Sequence, residues 1–138
     1  GTSYADVHIA ASEVLNPAAP EPDVLVAFNA PSLTKFASSV APGGTILYDS
    51  TVVTSLPADL APGRTVLGLP FTKIASDLGK PMVKNVVALG ALQAVTKVLP
   101  DDALIETLAH VLKDKAAVLP LNKAAYAAGL AAVQPSAV

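Results

Sequence analysis

The sequence predicts an α/β domain with a mainly parallel sheet, because short apolar runs alternate with helical patterns along the chain. Three runs, residues 23–28, 45–48 and 66–69, are apolar on both sides, as strands covered by helices on both faces are. Helical patterns follow the first and the third run. A length of 138 residues is enough for one domain with a buried core.

The first part of the chain contains a predicted edge strand and a predicted amphipathic helix. Residues 4–10 alternate between polar and apolar side chains, which indicates a half-buried strand at or near a sheet edge. Pro31 suits the first turn of a helix between the first two buried strands. Apolar residues then recur at the spacing of one helix face: Leu33, Phe36, Ala37 and Val40.

The stretch after the third buried strand is predicted to organise the second half of the chain. Thr72 is the predicted N-cap of a short helix over residues 73–78, and Gly79 suits the left-handed position after it. Residues 82–99 form a long helix that is apolar nearly all round, so we expect it to be buried on every side. Its small residues predict a close approach to another element, with Gly90 against a neighbouring backbone.

Two more helices are predicted to complete the chain. One begins at Pro100-Asp101-Asp102, with acids at its positive end. Its inner stripe is predicted to be Leu104, Ile105, Leu108, Val111 and Leu112. The last helix is predicted to begin at Asn122, with Leu121 and Tyr126 as a hydrophobic staple, and to fade near Gln134-Pro135.

Composition limits the partners that this chain can have. Hydrophobic residues make up 52% and charged residues 14%, against roughly a quarter charged in an average soluble domain. So few charges predict that part of the surface is buried against another chain. Polar residues interrupt the most apolar stretch, which argues against a membrane span. A net charge of −2 without a basic patch argues against nucleic acid.

The residue types of common catalytic and metal sites are mostly absent. No cysteine is present, which removes disulfides, thiolate catalysis and cysteine-bound iron–sulfur clusters, and fits a reducing compartment; we expect a cytoplasmic protein. No Gly-rich phosphate loop occurs. His8 and His110 lie on different elements without ligand spacing, and we expect both to be solvated. Ser50 lacks the glycines of a nucleophile elbow. We therefore predict no catalytic residue and no metal ligand.

Small polar residues follow each of the three buried strands. They lie at Asn29, at residues 49–51 and at residues 70–72. Ligands of parallel α/β sheets collect at the carboxyl ends of the strands, so these positions form a candidate site. The alternative is that they are helix caps and turn formers, which is the common role of Asn, Ser and Thr.

Five segments, in this order, carry a resemblance to a known family. They are DVLVAFNAP at residues 23–31, YDS at 48–50, LPFTKIA at 69–75, NVVALGA at 85–91 and LNKAAY at 121–126. Together they resemble the gamma subunit, or gamma domain, of 2-oxoacid:ferredoxin oxidoreductases, which decarboxylate a 2-oxoacid oxidatively to an acyl-CoA.

The resemblance implies a three-layer Rossmann-like domain that is accessory to the reaction. It would pack beside the thiamine-binding alpha and beta subunits, help to form the coenzyme A approach, and meet ferredoxin through the complex. Thiamine diphosphate and iron–sulfur clusters would be held mainly elsewhere, so no cofactor is expected on this chain alone. The resemblance also marks four positions, called here the polar lip, as ligand or subunit contacts: Asn29, Ser50, Thr72 and Asn85.

Family members begin with a strand, a glycine-rich turn and a helix that this sequence lacks, and Gly1-Thr2 resembles the tail of a later segment. We therefore expect the N-terminal βα part of the domain to be missing, and its place to be filled by a separate N-terminal fragment or by a second copy. Two other functions stay open, a stand-alone module that binds a small ligand and a purely structural subunit.

Overall fold

A computed structural model describes residues 3–133, which form three strands and five α-helices. The strands are β1 (Val24–Ala27), β2 (Thr45–Asp49) and β3 (Thr65–Leu69). The helices are α1 (Ala30–Phe36), α2 (Phe71–Asp77), α3 (Lys84–Thr96), α4 (Ala103–Val111) and α5 (Leu119–Ala132). The Gly1-Thr2 resemblance and the predicted fading near Gln134-Pro135 lie outside the described residues.

The strands form one sheet in the order β1-β2-β3, and this confirms the predicted α/β class. β1 and β2 are parallel, with a register that runs from Val24 opposite Thr45 to Ala27 opposite Tyr48. On its other side β2 meets β3, through bonds from Thr65 N to the Gly44 oxygen (2.9 Å) and from Ser50 N to the Leu69 oxygen (3.0 Å). Burial is lower than predicted for β1 and β3, whose side chains are mostly half-buried.

The chain divides into two compact units. The first comprises the described part of Gly1–Tyr48 together with Val53–Leu67. Its core consists of Ala27, Leu33, Ala37, Val40, Ile46, Val53 and Ala61. Three of the four predicted stripe residues of α1 are buried in this core, and a 3₁₀ turn over Ala37–Ser39 follows the helix.

Arg64 ties two segments of the first unit together. Its Nε and Nη2 both donate to the Val40 carbonyl, at 3.0 and 2.7 Å, and its Nη1 donates to the Pro62 carbonyl at 2.9 Å. A guanidinium presents its donors in a rigid fork, so a single side chain can hold carbonyls from two parts of the chain. Arg64 thereby fixes the end of the α1 region against the loop that leads into β3.

The predicted edge strand over residues 4–10 is wrong. The structure has no strand there, and the large apolar side chains Tyr4, Val7 and Ile9 are exposed. Alternation places apolar residues on one side of a strand, but the strand needs a neighbour for its backbone bonds. No described strand pairs with this segment. Its polar groups bond locally instead, as His8 Nδ1 does with the Asn16 carbonyl at 3.0 Å.

The second unit comprises Asp49–Val52 with the described part of Gly68–Val138, and α3 packs against α5 within it. Gly90 of α3 lies where a Cβ would strike the Tyr126 carbonyl of α5, and Gly129 of α5 lies where a Cβ would strike the Val87 carbonyl of α3. Each glycine therefore makes room for the backbone of the other helix. This confirms that Gly90 lies against a neighbouring backbone.

Helix α3 is shorter than the predicted 82–99. A 3₁₀ turn over Pro81–Val83 precedes it, and Lys97 ends it in the left-handed conformation with φ 47°. Gln93 is buried on α3; its Nε2 donates to the Leu99 carbonyl at 2.6 Å, which folds the chain back after the helix. Not every side of α3 is buried, because Asn85 is exposed and several apolar residues are half-buried.

Helices α4 and α5 also differ from their predictions. α5 begins at Leu119, and Asn122 lies inside it, where its Nδ2 donates to the Val118 carbonyl at 2.8 Å. The predicted cap and staple at Asn122 are therefore wrong. No residue of α4 is fully buried, and Val111, placed on the predicted inner stripe, is 69% exposed. α4 packs mainly against α5 and against the 3₁₀ segment Lys113–Val118 that follows α4. The predicted inner stripe is therefore only partly shielded from solvent. None of the helices in residues 3–133 is long and apolar enough to cross a membrane.

Candidate functional site

The ends of β2 and β3 meet the start of α2 in a hydrogen-bonded network centred on Asp49. Asp49 is the last residue of β2 and is completely buried. Its Oδ1 accepts from Thr51 N at 3.1 Å and from Thr72 N at 3.3 Å, and its Oδ2 accepts from the Thr72 hydroxyl at 2.5 Å. A buried carboxylate is tolerated only when such donors replace water.

The same network caps helix α2 from a distant part of the chain. Pro70 stands at the N-cap position and offers no side-chain bond, so the first N–H groups of the helix need acceptors from elsewhere. Asp49 accepts from Thr72 N, and the Thr51 hydroxyl accepts from Lys73 N at 3.1 Å. The prediction of Thr72 as N-cap is therefore wrong, because Thr72 is already the second residue of α2.

A short turn, called here the Asp49 turn (residues 49–52), carries Ser50 of the polar lip. Ser50 N donates to the Leu69 carbonyl at 3.0 Å, and Val52 N donates to the Asp49 carbonyl at 3.2 Å. These two backbone bonds, together with the bond from Thr51 N to the Asp49 carboxylate, hold the turn in place. Ser50 is half-buried, and Val52, two residues later, is 51% exposed.

The structure brings Thr72 of the polar lip into the Asp49 network, and Ser50 is the residue after Asp49 in the turn, where its backbone N–H donates to the Leu69 carbonyl. It gives the other two residues of the polar lip separate local roles. Asn29, exposed in the first unit, caps α1 through its Oδ1, which accepts from Ser32 N at 2.8 Å. Asn85, exposed in the first turn of α3, accepts from Val86 N at 2.9 Å. Asn29 therefore also fits the alternative interpretation of these residues as helix caps.

Asp49 belongs to the strand-end positions predicted as a candidate site but not to the polar lip, and its central role was not predicted. Its position at the end of an otherwise apolar strand was visible, and an acid there must find donors if the strand is buried. One donor, Thr51 N, is local, and the others lie 23 residues further along, at Thr72. The signal for burial was therefore in the sequence, whereas the identity of the partner was not.

The histidines and the pocket of the described residues offer no metal-binding cluster and no titratable lining. His8 and His110 are exposed, as predicted, and residues 3–133 hold no cluster of three His, Cys, Asp or Glu that could bind a metal ion. An apolar pocket of about 210 Å³ in the first unit is lined by Leu56, Pro57, Ala58, Leu60, Ala61, Pro62 and Val66. This lining contains no titratable side chain.

Tyr126 is buried in α5 without a hydrogen-bond partner for its hydroxyl in the described part of the chain. Burial, and then the negative charges of Asp101 and Asp102, raise the pKa of this phenol above its ordinary value. Both causes disfavour the phenolate. Tyr126 is therefore a neutral packing residue rather than a base.

The parallel sheet, with polar residues at the ends of its strands, defines an α/β domain. Comparison with known proteins is more specific. The chain belongs to the family described as pyruvate ferredoxin/flavodoxin oxidoreductase, which matches residues 1–132.

Curated relatives include subunits of two archaeal enzymes. The ketoisovalerate oxidoreductase subunit VorA of Methanothermobacter thermautotrophicus is 37% identical over 131 residues, which cover 94% of this chain and 26% of the relative. The 2-oxoglutarate synthase subunit KorC of Methanocaldococcus jannaschii is 32% identical over 107 residues, which cover 75% of this chain and 56% of the relative. The chain thus spans about a quarter and about half the length of these relatives.

Two solved structures share the fold. The gamma subunit of keto/oxoacid ferredoxin oxidoreductase from Geobacter sulfurreducens aligns with a TM-score of 0.72 and 30% identity, over 80% of this chain and 63% of that one. The 2-oxoglutarate:ferredoxin oxidoreductase from Magnetococcus marinus, with 2-oxoglutarate, coenzyme A and succinyl-CoA bound, aligns with a TM-score of 0.73 and 27% identity, over 83% of this chain and 20% of that one.

Proposed function

We propose that this chain is the gamma-type part of a 2-oxoacid:ferredoxin oxidoreductase, a cytoplasmic complex that converts a 2-oxoacid oxidatively to an acyl-CoA. The observation that carries the proposal is the family match over residues 1–132, supported by the fold shared with a gamma subunit. In this role the chain packs against thiamine-binding alpha and beta subunits, and ferredoxin receives electrons through the complex. The domain itself supplies shape and contacts rather than a reacting group.

The donor chemistry of the chain agrees with cofactors held on other subunits. Iron–sulfur clusters are bound by cysteine thiolates, and this sequence has no cysteine. The diphosphate of thiamine diphosphate needs a divalent cation, and no described cluster of this chain fits one. We therefore propose that the partner subunits hold both groups.

The polar lip is proposed as the part of this domain that faces the rest of the complex. Asn29, Ser50, Thr72 and Asn85 would contribute to the coenzyme A approach or to subunit contacts. The exposed apolar residues of the N-terminal segment, Val7 and Ile9 among them, suit coverage by another chain. A second copy of this chain is the proposed cover.

Reassembly of the complex tests the function directly. The isolated chain should reduce no dye with any 2-oxoacid and coenzyme A, and addition of the alpha and beta subunits should give turnover. Omission of this chain from the mixture is the control and should lower the rate at least tenfold. Turnover by the isolated chain, or full turnover without it, would contradict the proposal.

A further inference from the structure

The segment at residues 4–10 has the side-chain alternation of a strand, but no strand lies beside it. Its backbone forms no helix, turn or ladder. Within the part of the chain that the structure describes, none of its N–H or carbonyl groups bonds to the backbone of another residue. Backbone groups left open in this way are a template on which another strand can pair.

The even-numbered side chains of this segment are turned towards their own chain. Tyr4 packs against the Phe36 ring, with the ring centroids 5.3 Å apart. His8 Nδ1 donates to the Asn16 carbonyl at 3.0 Å, and Asp6 Oδ2 accepts from a backbone N–H of the same unit at 3.4 Å. The contacts therefore alternate along the segment in the same way as the sequence does.

The odd-numbered side chains are apolar and exposed. Val7 is 75% exposed and Ile9 is 55% exposed, and Ala5 is exposed on the same side. The segment thus combines an apolar side that lacks a cover with a backbone edge that lacks a neighbour. A strand of matching pattern would supply both.

A second copy of the same segment fits this edge in one register. Two antiparallel strands related by a twofold axis place residue i opposite residue j, and residue j opposite residue i. With the axis at Val7, that residue lies opposite the partner's Val7, Ala5 lies opposite Ile9, and Asp6 lies opposite His8. Apolar residues then meet on one face, and a carboxylate meets an imidazole on the other.

The neighbouring registers are less favourable. An axis at Asp6 or at His8 brings two carboxylates or two imidazoles together, and an axis between two residues places apolar side chains opposite polar ones. Asp6 Oδ1 and His8 Nε2 have no hydrogen-bond partner in residues 3–133, so both remain available to the second copy. Because Nδ1 already donates to a carbonyl, Nε2 donates to the carboxylate in the imidazolium form.

We propose that residues 4–10 pair with the same segment of a second copy of this chain, as an antiparallel two-stranded ribbon centred on Val7. A ribbon of this length buries less surface than a standard protein–protein interface, so the association is weak and reversible. The inference rests on the part of the proposed function that names a second copy as the cover of this segment. It requires neither the partner subunits nor the reaction.

Val7→Lys tests the pairing, with Leu15→Lys as the matched control. Val7→Lys sets two lysines opposite each other at the axis and should raise the dissociation constant for self-association at least tenfold, measured by sedimentation equilibrium. Leu15 is 86% exposed but lies at a bend outside the paired residues, so its variant should stay within twofold of wild type. Equal weakening by the two variants would show that apolar exposure alone drives association, and would overturn the proposal.

Two variants of opposite charge test the register. Asp6→Lys sets a lysine opposite the partner's His8, and His8→Glu sets a glutamate opposite the partner's Asp6, so each variant alone should associate several-fold more weakly than wild type. An equimolar mixture pairs the lysine with the glutamate and keeps one native pair. It should associate at least threefold more tightly than either variant alone. A mixture no tighter than the single variants would overturn the register.

Amide hydrogen exchange locates the contact and separates the possible partners. Residues 5–9 should gain protection as the concentration of the isolated chain is raised. A wild-type chain that stays monomeric at millimolar concentration would overturn the inference. Protection that appears only after the alpha and beta subunits are added would overturn it too, and would assign the segment to those subunits. If the isolated chain pairs as described but the reassembled complex gives no turnover, only the oxidoreductase role falls.

Discussion

At the scale of single residues, the buried carboxylate of Asp49 accepts hydrogen bonds from three donors. It serves Thr51 N, Thr72 N and the Thr72 hydroxyl, and it thereby joins the end of β2 to the start of α2. A charged acceptor forms stronger hydrogen bonds than a neutral one, which favours Asp over Asn at this position.

Substitution of Asp49 should lower the free energy of unfolding in a graded way. Asp49→Asn keeps one oxygen for the amides and should cost about 1 kcal/mol, whereas Asp49→Ala leaves the buried donors unpaired and should cost about 3 kcal/mol. Urea unfolding measures both values. Asp77→Asn, on an exposed pair with Lys73, is the control and should cost less than about 0.5 kcal/mol. Equal costs at the two positions would contradict the network.

The Tyr126 hydroxyl predicts a dependence of stability on pH. Its pKa is raised in the folded state, so the folded protein favours the neutral phenol; its contribution is fully present below the ordinary pKa of 10.0 and is lost as the pH rises beyond that value. Tyr126→Phe should therefore unfold less readily than wild type in alkali. Below pH 9 it should be as stable as wild type or up to about 1 kcal/mol more stable, because an unpaired buried hydroxyl is removed.

Thermal unfolding of Tyr126→Phe between pH 7 and 11 checks this expectation. Tyr4→Phe is the control, since Tyr4 is 68% exposed, and it should reproduce the wild-type profile. A loss of stability in Tyr126→Phe at pH 7 would mean that the hydroxyl has a partner after all.

At the scale of elements, the α3–α5 pair is the closest packing in the second unit. Gly90 and Gly129 each face a backbone carbonyl of the other helix. The two helix backbones therefore lie closer together than they could with a side chain at either position. Close approach increases the contact between the two backbones and leaves Val87 and Tyr126 fully enclosed.

A side chain at either glycine should push the helices apart. Gly90→Leu should lower the free energy of unfolding by at least about 1–3 kcal/mol, and Gly129→Ala should do the same, because main-chain atoms cannot move aside as a flexible side chain can. Ala127→Leu, on the exposed face of α5, is the control and should stay within about 0.5 kcal/mol of wild type. An unchanged melting temperature in Gly90→Leu would contradict the helix contact.

At the scale of the whole molecule, the amount of exposed apolar surface stands out against the small number of charges. Val7, Ile9 and Leu15 are exposed on the N-terminal segment, as are Met82 and Val111 further along. Isolated exposed apolar residues are ordinary, but several within one segment favour association.

We expect the 13.9 kDa chain to self-associate when it is purified alone. Light scattering at micromolar to millimolar concentrations should give an average mass above that of the monomer. A variant with Val7, Ile9 and Leu15 changed to lysine should shift the mass towards the monomer, whereas the same change at the exposed residues Ser3, Ser12 and Glu13 should not. A monodisperse wild-type monomer would contradict the expectation.

The fold could be predicted from the sequence wherever the signal was local or strong. Runs that are apolar on both sides gave the three strands, and the small residues of α3 correctly indicated a close approach at Gly90. Its counterpart Gly129 was not identified, since the partner of a small residue is a matter of packing between distant segments.

The wrong predictions share one physical cause: a local sequence pattern does not specify which distant segment it will contact. The alternation over residues 4–10 is that of a strand, but no described strand pairs with it. Thr72 looks like an N-cap, yet the caps of α2 come from Asp49 and Thr51, more than 20 residues earlier. The polar lip is likewise only partly assembled, because Thr72 bonds to Asp49, the residue before Ser50, whereas Asn29 and Asn85 bond elsewhere.

The way Arg64 is held has a consequence for ionic conditions. Its guanidinium bonds to the carbonyls of Val40 and Pro62, and it forms no ion pair within residues 3–133. Backbone carbonyls do not titrate, and a direct bond to a neutral acceptor is screened far less by dissolved ions than an attraction between opposite charges. The tie between the α1 region and the loop before β3 should therefore persist in strong brine and in mild acid alike, where bonds that need an ionised carboxylate are weakened.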